Sequence, residues 1–110
     1  GNSAVAKGCT ILGEVKNTVL SYGSSVGKGA EVSYSVVMPN AVIEDGAKVS
    51  YAIVGEGCHV GKNAVVGGAP GSVDFDHWGI AVLGPHTTVP DGGVVEPKMM
   101  LGGNGKEVRP

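Results

Sequence analysis

The 110-residue chain has room for one small domain, and its net charge of −2 leaves no basic stripe for nucleic acid. No uninterrupted apolar run reaches the roughly 18 residues of a membrane-spanning helix, and the start shows no signal-peptide pattern. Twenty glycines, 5% aromatic residues and an apolar fraction rich in valine, alanine and isoleucine indicate a narrow interior. Because Gly1 replaces a start methionine, we expect the natural protein to continue upstream.

The chain repeats itself with a period of 17 residues. Its clearest repeats are VKNTVLSYGSSVGKGAE at 15–31, VSYSVVMPNAVIEDGAK at 32–48 and VSYAIVGEGCHVGKNAV at 49–65. Each repeat divides into segments of five, six and six residues, and an aliphatic residue leads each segment. Residues 2–14 fit a repeat shortened by two, and Leu83 resumes the pattern after an insertion at 67–78. This period predicts an all-β fold, the hexapeptide-repeat parallel β-helix, with about five coils in a triangular prism.

The repeat also predicts which side chains face inward and where the chain turns. The leading residues stack inside the prism, and small residues four positions later form further inward columns. One leading column is Val26, Ile43, Val60 and Val89, and one small column is Cys9, Ser24, Ala41, Cys58 and Thr87. Corners that need positive φ favour glycine and asparagine. The predicted corner residues are Gly29, Gly46, Asn63 and Gly92 in one column, and Gly23, Asn40 and Gly57 in another.

Two tempting motifs fall within this pattern. Gly27-Lys28-Gly29 and Gly55-Glu56-Gly57 resemble phosphate-binding glycines, but they occur at repeated corners without a strand–loop–helix context. Cys9 and Cys58 share a column three coils apart, about 14 Å at the usual strand spacing. A disulfide needs Cα atoms within about 7 Å, so both are predicted to be small buried thiols, which suits a reducing cytoplasm.

The three histidines raise two enzymatic alternatives. The γ-class carbonic anhydrases bind zinc through three histidines on a hexapeptide fold, but His59 is predicted to face solvent and His86 to occupy a corner. Hexapeptide acyltransferases use a histidine as general base, a role open to His77 with Asp74 or Asp76. The favoured interpretation is structural: the insertion binds a prism edge through Phe75 and Trp78, which are also candidate interface residues.

Several segments resemble the C-terminal β-helix of the glucose-1-phosphate adenylyltransferase family. Val37-Met38-Pro39-Asn40-Ala41-Val42-Ile43 with Asp45-Gly46-Ala47 is similar to the middle coil of that family. After the insertion, Trp78-Gly79-Ile80-Ala81-Val82-Leu83-Gly84 and Val89-Pro90-Asp91-Gly92 continue the similarity. The resemblance covers nearly all of the chain. It implies a left-handed coil, with residues 1–110 forming one β-helix domain cut from a longer chain.

The resemblance also implies a function. The parent enzyme joins ATP and glucose 1-phosphate, with Mg²⁺, to give ADP-glucose and pyrophosphate for glycogen or starch synthesis. The chemistry is expected in an upstream nucleotide-binding domain, so this fragment should contain no catalytic residue, metal or cofactor and be inactive alone. Its implied role is to assemble subunits, usually into a homotetramer, and to help form allosteric sites. For an anionic effector, the tail at 97–110 offers Lys98, Lys106 and Arg109.

Overall fold

Short parallel strands make up the fold, and three of them complete each full coil. The computed structural model describes residues 3–68 and 79–102. In these ranges the strands form one six-stranded and two five-stranded sheets, the three walls of a parallel β-helix of about five coils. The all-β prism predicted from the 17-residue period is therefore confirmed. Within the same ranges, no helix has the length and apolar character needed to cross a bilayer.

The chain visits the three sheets in rotation. Sheet A contains β1 (Ala4–Val5), β4 (Val19–Leu20), β7 (Val36–Val37), β10 (Ala52–Val54), β13 (Ala81–Leu83) and β16 (Met100–Leu101). Sheet B contains β2 (Thr10–Ile11), β5 (Ser25–Val26), β8 (Val42–Ile43), β11 (His59–Val60) and β14 (Thr88–Val89). Sheet C contains β3 (Glu14–Lys16), β6 (Glu31–Ser33), β9 (Lys48–Ser50), β12 (Val65–Gly67) and β15 (Val94–Val95).

The strand register matches the columns predicted from the repeat. Val26 pairs with Ile43, Ile43 with Val60, and Val60 with Val89, and all four are at most 2% exposed. The shortened first coil also fits, since Val5 pairs with Leu20 and Ile11 with Val26. Branched side chains of similar size therefore stack directly on one another, which fills the narrow interior at close packing.

The insertion leaves the register of the prism unchanged. Val54 in β10 pairs directly with Leu83 in β13, although 28 residues lie between them. The chain leaves sheet C at Gly67, which has a φ of 77°, and enters sheet A again at Ala81. The insertion thus arises at the edge between sheets C and A; its residues 69–78 lie outside the described ranges.

Left-handed backbone at the corners turns the chain from sheet to sheet. Positive φ occurs at all of the predicted corner residues, Gly29, Gly46, Asn63, Gly92, Gly23, Asn40 and Gly57. His86 continues the second of these columns with a φ of 59°. The third corner, from sheet C to sheet A, was not predicted. It is formed by Asn17, Tyr34, Tyr51 and Lys98, all with positive φ.

Candidate functional site

The two described histidines occupy different parts of the surface. His59 projects from sheet B, and its Nε2 lies 2.7 Å from the Glu44 carboxylate in an exposed pair. His86 lies at a corner with its ring over Gly57. Both positions agree with the sequence prediction. Among residues 3–68 and 79–102, no three His, Cys, Asp or Glu side chains are grouped to hold a metal ion. His77, the proposed acyltransferase base, and its partners Asp74 and Asp76 lie outside the described residues.

Both cysteines are free thiols that donate hydrogen bonds to backbone carbonyl oxygens. The predicted burial is confirmed for Cys58 but not fully for Cys9, which lies in the less covered first coil. Cys58 is fully buried, and its Sγ donates to the Gly84 carbonyl oxygen at 3.0 Å. Burial is the main cause that raises the pKa of the Cys58 thiol above its ordinary value. Cys9 is partly buried and donates to the Ser21 carbonyl oxygen at 3.2 Å. A protonated thiol is a weak nucleophile, so Cys58 is suited to packing rather than to catalysis.

At the corner between sheets B and C, lysine and aspartate alternate from coil to coil, and the aspartate side chains bind the backbone of the preceding coil. The Asp45 carboxylate accepts a hydrogen bond from the backbone N–H of Lys28, one coil earlier, at 2.9 Å. Asp91 accepts the equivalent bond from the Lys62 N–H at 2.8 Å. These aspartates satisfy backbone N–H groups at the turns of neighbouring coils. The Gly27-Lys28-Gly29 motif therefore belongs to a corner, as predicted.

Of the three effector-binding candidates, the structure describes Lys98 alone. Lys98 is exposed on the corner between sheets C and A, and its aliphatic stem packs over Gly79. Gly79 is the first described residue after the insertion, so Lys98 marks the place where the insertion returns to the prism. The other two candidates, Lys106 and Arg109, lie outside the described residues, as do the interface candidates Phe75 and Trp78.

The outer face of sheet A is the largest feature that the sequence prediction missed. Its central ladder consists of outward-facing apolar residues paired strand to strand: Ala4, Val19, Val36, Ile53, Val82 and Met100. A second column follows the leading residues, with Ala6 and Met38 exposed, Ser21, Gly84 and Gly102 partly buried, and Gly55 buried. Neither described column contains a charged residue. The signal was present in the residue before each leading position, which is apolar in every repeat of this sheet.

The other two outer faces differ from sheet A in charge. Sheet B presents the pair of Glu44 and His59. Sheet C presents Glu14, Glu31 and Lys48 in one paired column. One corner of the sheet A face deepens into a groove of about 440 Å³ whose walls include Val5, Val19, Tyr22 and Met38. This apolar, uncharged face is the best-defined candidate for a contact surface on the described part of the chain.

Solved structures with similar coils include hexapeptide acetyltransferases. The acetyltransferase domain of PglB from Neisseria gonorrhoeae aligns over 94% of this chain and 55% of its own, with a TM-score of 0.48 and 16% identity. A mutant perosamine N-acetyltransferase from Caulobacter crescentus aligns over 96% of this chain and 56% of its own, with a TM-score of 0.44 and 21% identity. Likeness at this level is no basis for assigning an activity.

Curated relatives confirm the resemblance found in the sequence. A glucose-1-phosphate adenylyltransferase from Desulfitobacterium hafniense is 35% identical over 98 residues, and one from Acetivibrio thermocellus is 41% identical over 96 residues. The matches cover 86% and 82% of this chain, but 23% and 22% of the relatives, in their C-terminal part. A family model, GlmU-like C-terminal hexapeptide, matches residues 1–84. With its parallel coils in the expected register, the chain belongs to the GlmU-like C-terminal hexapeptide family.

Proposed function

We propose that this chain is the C-terminal assembly and regulatory domain of a glucose-1-phosphate adenylyltransferase. The complete enzyme would make ADP-glucose and pyrophosphate from ATP and glucose 1-phosphate, with Mg²⁺, for glycogen or starch synthesis. One observation carries the proposal: the relatives match most of this chain but less than a quarter of their own length. The unmatched part of such a parent would hold the nucleotide-binding and catalytic groups.

The assembly role is supported by the shape and charge of the prism. A β-helix is rigid, and its strands present flat outer faces to other subunits or domains. Here one face is apolar and uncharged along all its described strands, and charge is depleted in the centres of protein interfaces. The proposed partners are the upstream catalytic domain of the same chain and further subunits, four in the complete enzyme. Two free thiols support a location in the reducing cytoplasm.

The regulatory role rests on the cations near the end of the prism. An anionic metabolite needs cationic partners, and Lys98 is exposed at a corner beside the end of the insertion. Lys106 and Arg109 follow it in the sequence and complete the proposed effector set. Phosphorylated sugars or carboxylates are the ligand classes that such cations would bind.

The test compares the complete parent polypeptide with the 110-residue chain. With ATP, glucose 1-phosphate and Mg²⁺, we expect ADP-glucose from the parent and none from the isolated chain. In the parent, Lys98→Ala should weaken activation by an anionic metabolite, with a panel of phosphorylated sugars and carboxylates as probes. Lys62→Ala is the matched control, because its backbone N–H still reaches Asp91 and its side chain lies on another corner.

Three results would overturn the proposal. The first is ADP-glucose synthesis by the isolated 110 residues, since they would then contain the catalytic site. The second is acetyl-CoA-dependent acetylation that disappears in His77→Ala, which would establish the hexapeptide acyltransferase alternative. Zinc-dependent CO₂ hydration would likewise replace the proposal with the carbonic anhydrase alternative.

A further inference from the structure

The apolar ladder on sheet A is continuous from the first coil to the last. Its six residues, Ala4, Val19, Val36, Ile53, Val82 and Met100, are joined by direct pairing across all six strands. Outward positions on a sheet that faces water are usually polar. Sheet B follows that rule except at Val42, and sheet C carries Glu14, Glu31 and Lys48 but also the exposed Val65 and Val94. Among the three sheets, sheet A alone has an apolar residue at this position in every described strand. An apolar outer column of this length is typical of a surface that another molecule covers.

We propose that this face binds the same face of a second copy of the chain around a two-fold axis. The inference deepens the assembly role in the proposed function and specifies its surface. A two-fold contact brings each surface against itself, so any charge near the axis would meet a like charge. Sheet A avoids this repulsion because its two described columns contain no charged residue. The central strand of sheet C is β9, so the same arrangement there would bring Lys48 against its own copy.

The size of the face is consistent with a weak dimer. Six strands at about 4.8 Å spacing, each contributing about 16 Å of width, provide roughly 450 Å² per copy. The pair would bury on the order of 1,000 Å², at the lower limit of specific protein interfaces. The exposed Tyr22 and Met38 at the groove add side chains that are enriched at interfaces. The isolated chain should therefore dimerise reversibly at high concentration.

The centre of the ladder identifies the residues to substitute. The strand order of sheet A places β7 and β10 in the middle, so Val36 and Ile53 lie nearest the proposed axis. Ile53→Lys would bring each new ammonium close to its own counterpart in the dimer. The side chain is 37% exposed in the single chain, so the fold can tolerate the substitution. Val65→Lys is the matched control, since Val65 is 38% exposed and projects from sheet C.

Sedimentation velocity from about 1 µM to about 1 mM covers the range in which an interface of this size should associate. We expect the unmodified chain and Val65→Lys to dimerise alike, and Ile53→Lys to bind at least roughly tenfold more weakly. Circular dichroism melting should give similar midpoints for both variants in dilute solution. A stable trimer, a monomer throughout the series, or equal weakening by both substitutions would overturn the inference. The parent's ADP-glucose assay is independent, so failure of the dimer leaves the proposed activity standing, and failure of the activity leaves the dimer standing.

Discussion

Corner residues show how one backbone geometry accommodates different side chains. Gly29 and Gly57 have nearly the same φ, 71° and 67°, but different surroundings. A Cβ added at Gly29 would meet open space within 4 Å, whereas one added at Gly57 would collide with the His86 ring. The two positions therefore separate the cost of a left-handed backbone from the cost of crowding.

Alanine substitutions at these corners should differ in stability. Gly29→Ala should lower the free energy of unfolding by about 1–2 kcal/mol, the ordinary cost of left-handed backbone for an L-residue. Gly57→Ala should cost at least about 1 kcal/mol more, because overpacking adds to that strain. Urea denaturation measures both. In a His86→Gly background the extra cost at Gly57 should disappear; equal costs at the two glycines in the original chain would contradict the crowding argument.

The buried thiol of Cys58 should make the protein sensitive to alkaline pH. Burial raises the pKa of this thiol in the folded state, so folding opposes its ionisation. An acid with a raised folded pKa contributes its full stability below the unfolded pKa, about 8.5, and loses it as pH rises towards the folded pKa. We expect the free energy of unfolding to fall above pH 8.5 in the original chain. The fall should be smaller in Cys58→Ala, and identical pH profiles for the two proteins would refute the assignment.

At the level of the element, a ladder of hydroxyl groups precedes the first three strands of sheet A. Ser3 Oγ accepts the Thr18 N–H, Thr18 Oγ1 accepts the Ser35 N–H, and Ser35 Oγ accepts the Ala52 N–H. The ladder stops at Ala52, which has no hydroxyl. One coil later the Ala81 N–H donates to the Tyr51 carbonyl oxygen at 3.1 Å instead. The prism thus has two ways of satisfying the same backbone group.

Removing one step of this ladder tests its contribution. Ser35→Ala deletes a bond to the Ser33 carbonyl oxygen and leaves the buried Ala52 N–H without its acceptor. Because a backbone carbonyl can replace the hydroxyl, as at Ala81, we expect a loss of about 1–2 kcal/mol rather than the larger penalty of an unpaired group. Ser25→Ala on the outer face of sheet B should stay within about 0.5 kcal/mol. Equal unfolding free energies for the two variants in urea would show that the ladder adds no stability.

The strands of this fold could be predicted from sequence because each coil repeats the same requirements. Inward positions need small branched side chains at fixed spacing, and two corners need glycine or asparagine, so both features recur every 17 residues. The third corner was missed because Tyr34 and Tyr51 are bulky residues that rarely adopt positive φ. Their rings stack at 4.9 Å with an angle of 11°, and this contact between coils offsets the backbone strain.

The candidate surface was harder to predict for a different reason. Outward valine and isoleucine are good strand formers, so their presence before each leading residue is explained by β propensity alone. The 17-residue period aligns Val19, Val36 and Ile53, but the structure is needed to show that all three are exposed on one face. By contrast, Phe75 and Trp78 are interface candidates because they are the only Phe and the only Trp in the sequence, and their role as interface residues stays a prediction.

On the scale of the whole molecule, each coil contacts only its neighbours, so stability should vary along the prism. In such solenoids the free energy of unfolding is close to the sum of a contribution from each coil and a contribution from each interface between neighbouring coils. A coil at the end has one interface fewer. The leading residues of the first coil reflect this position, with Val5 49% and Ile11 38% exposed, whereas Ile43 and Val60 in the centre are at most 1% exposed. The described N-terminal coil therefore contributes less burial than the central coils.

Hydrogen exchange should reveal this gradient from end to end. We expect the amide of Val42, which donates to the Cys58 carbonyl oxygen in the centre, to exchange far more slowly than that of Thr10, which donates to Ser24 in the first coil. Both amides are hydrogen-bonded, so a difference between them reports local opening rather than the absence of a bond. Hydrogen–deuterium exchange followed by mass spectrometry measures this difference in exchange rate. The protein should be dilute enough for the proposed dimer to be dissociated. Equal protection at both ends and the centre would mean that the prism opens as a single cooperative unit. A gradient would mean that the first coil opens without unfolding of the centre of the prism.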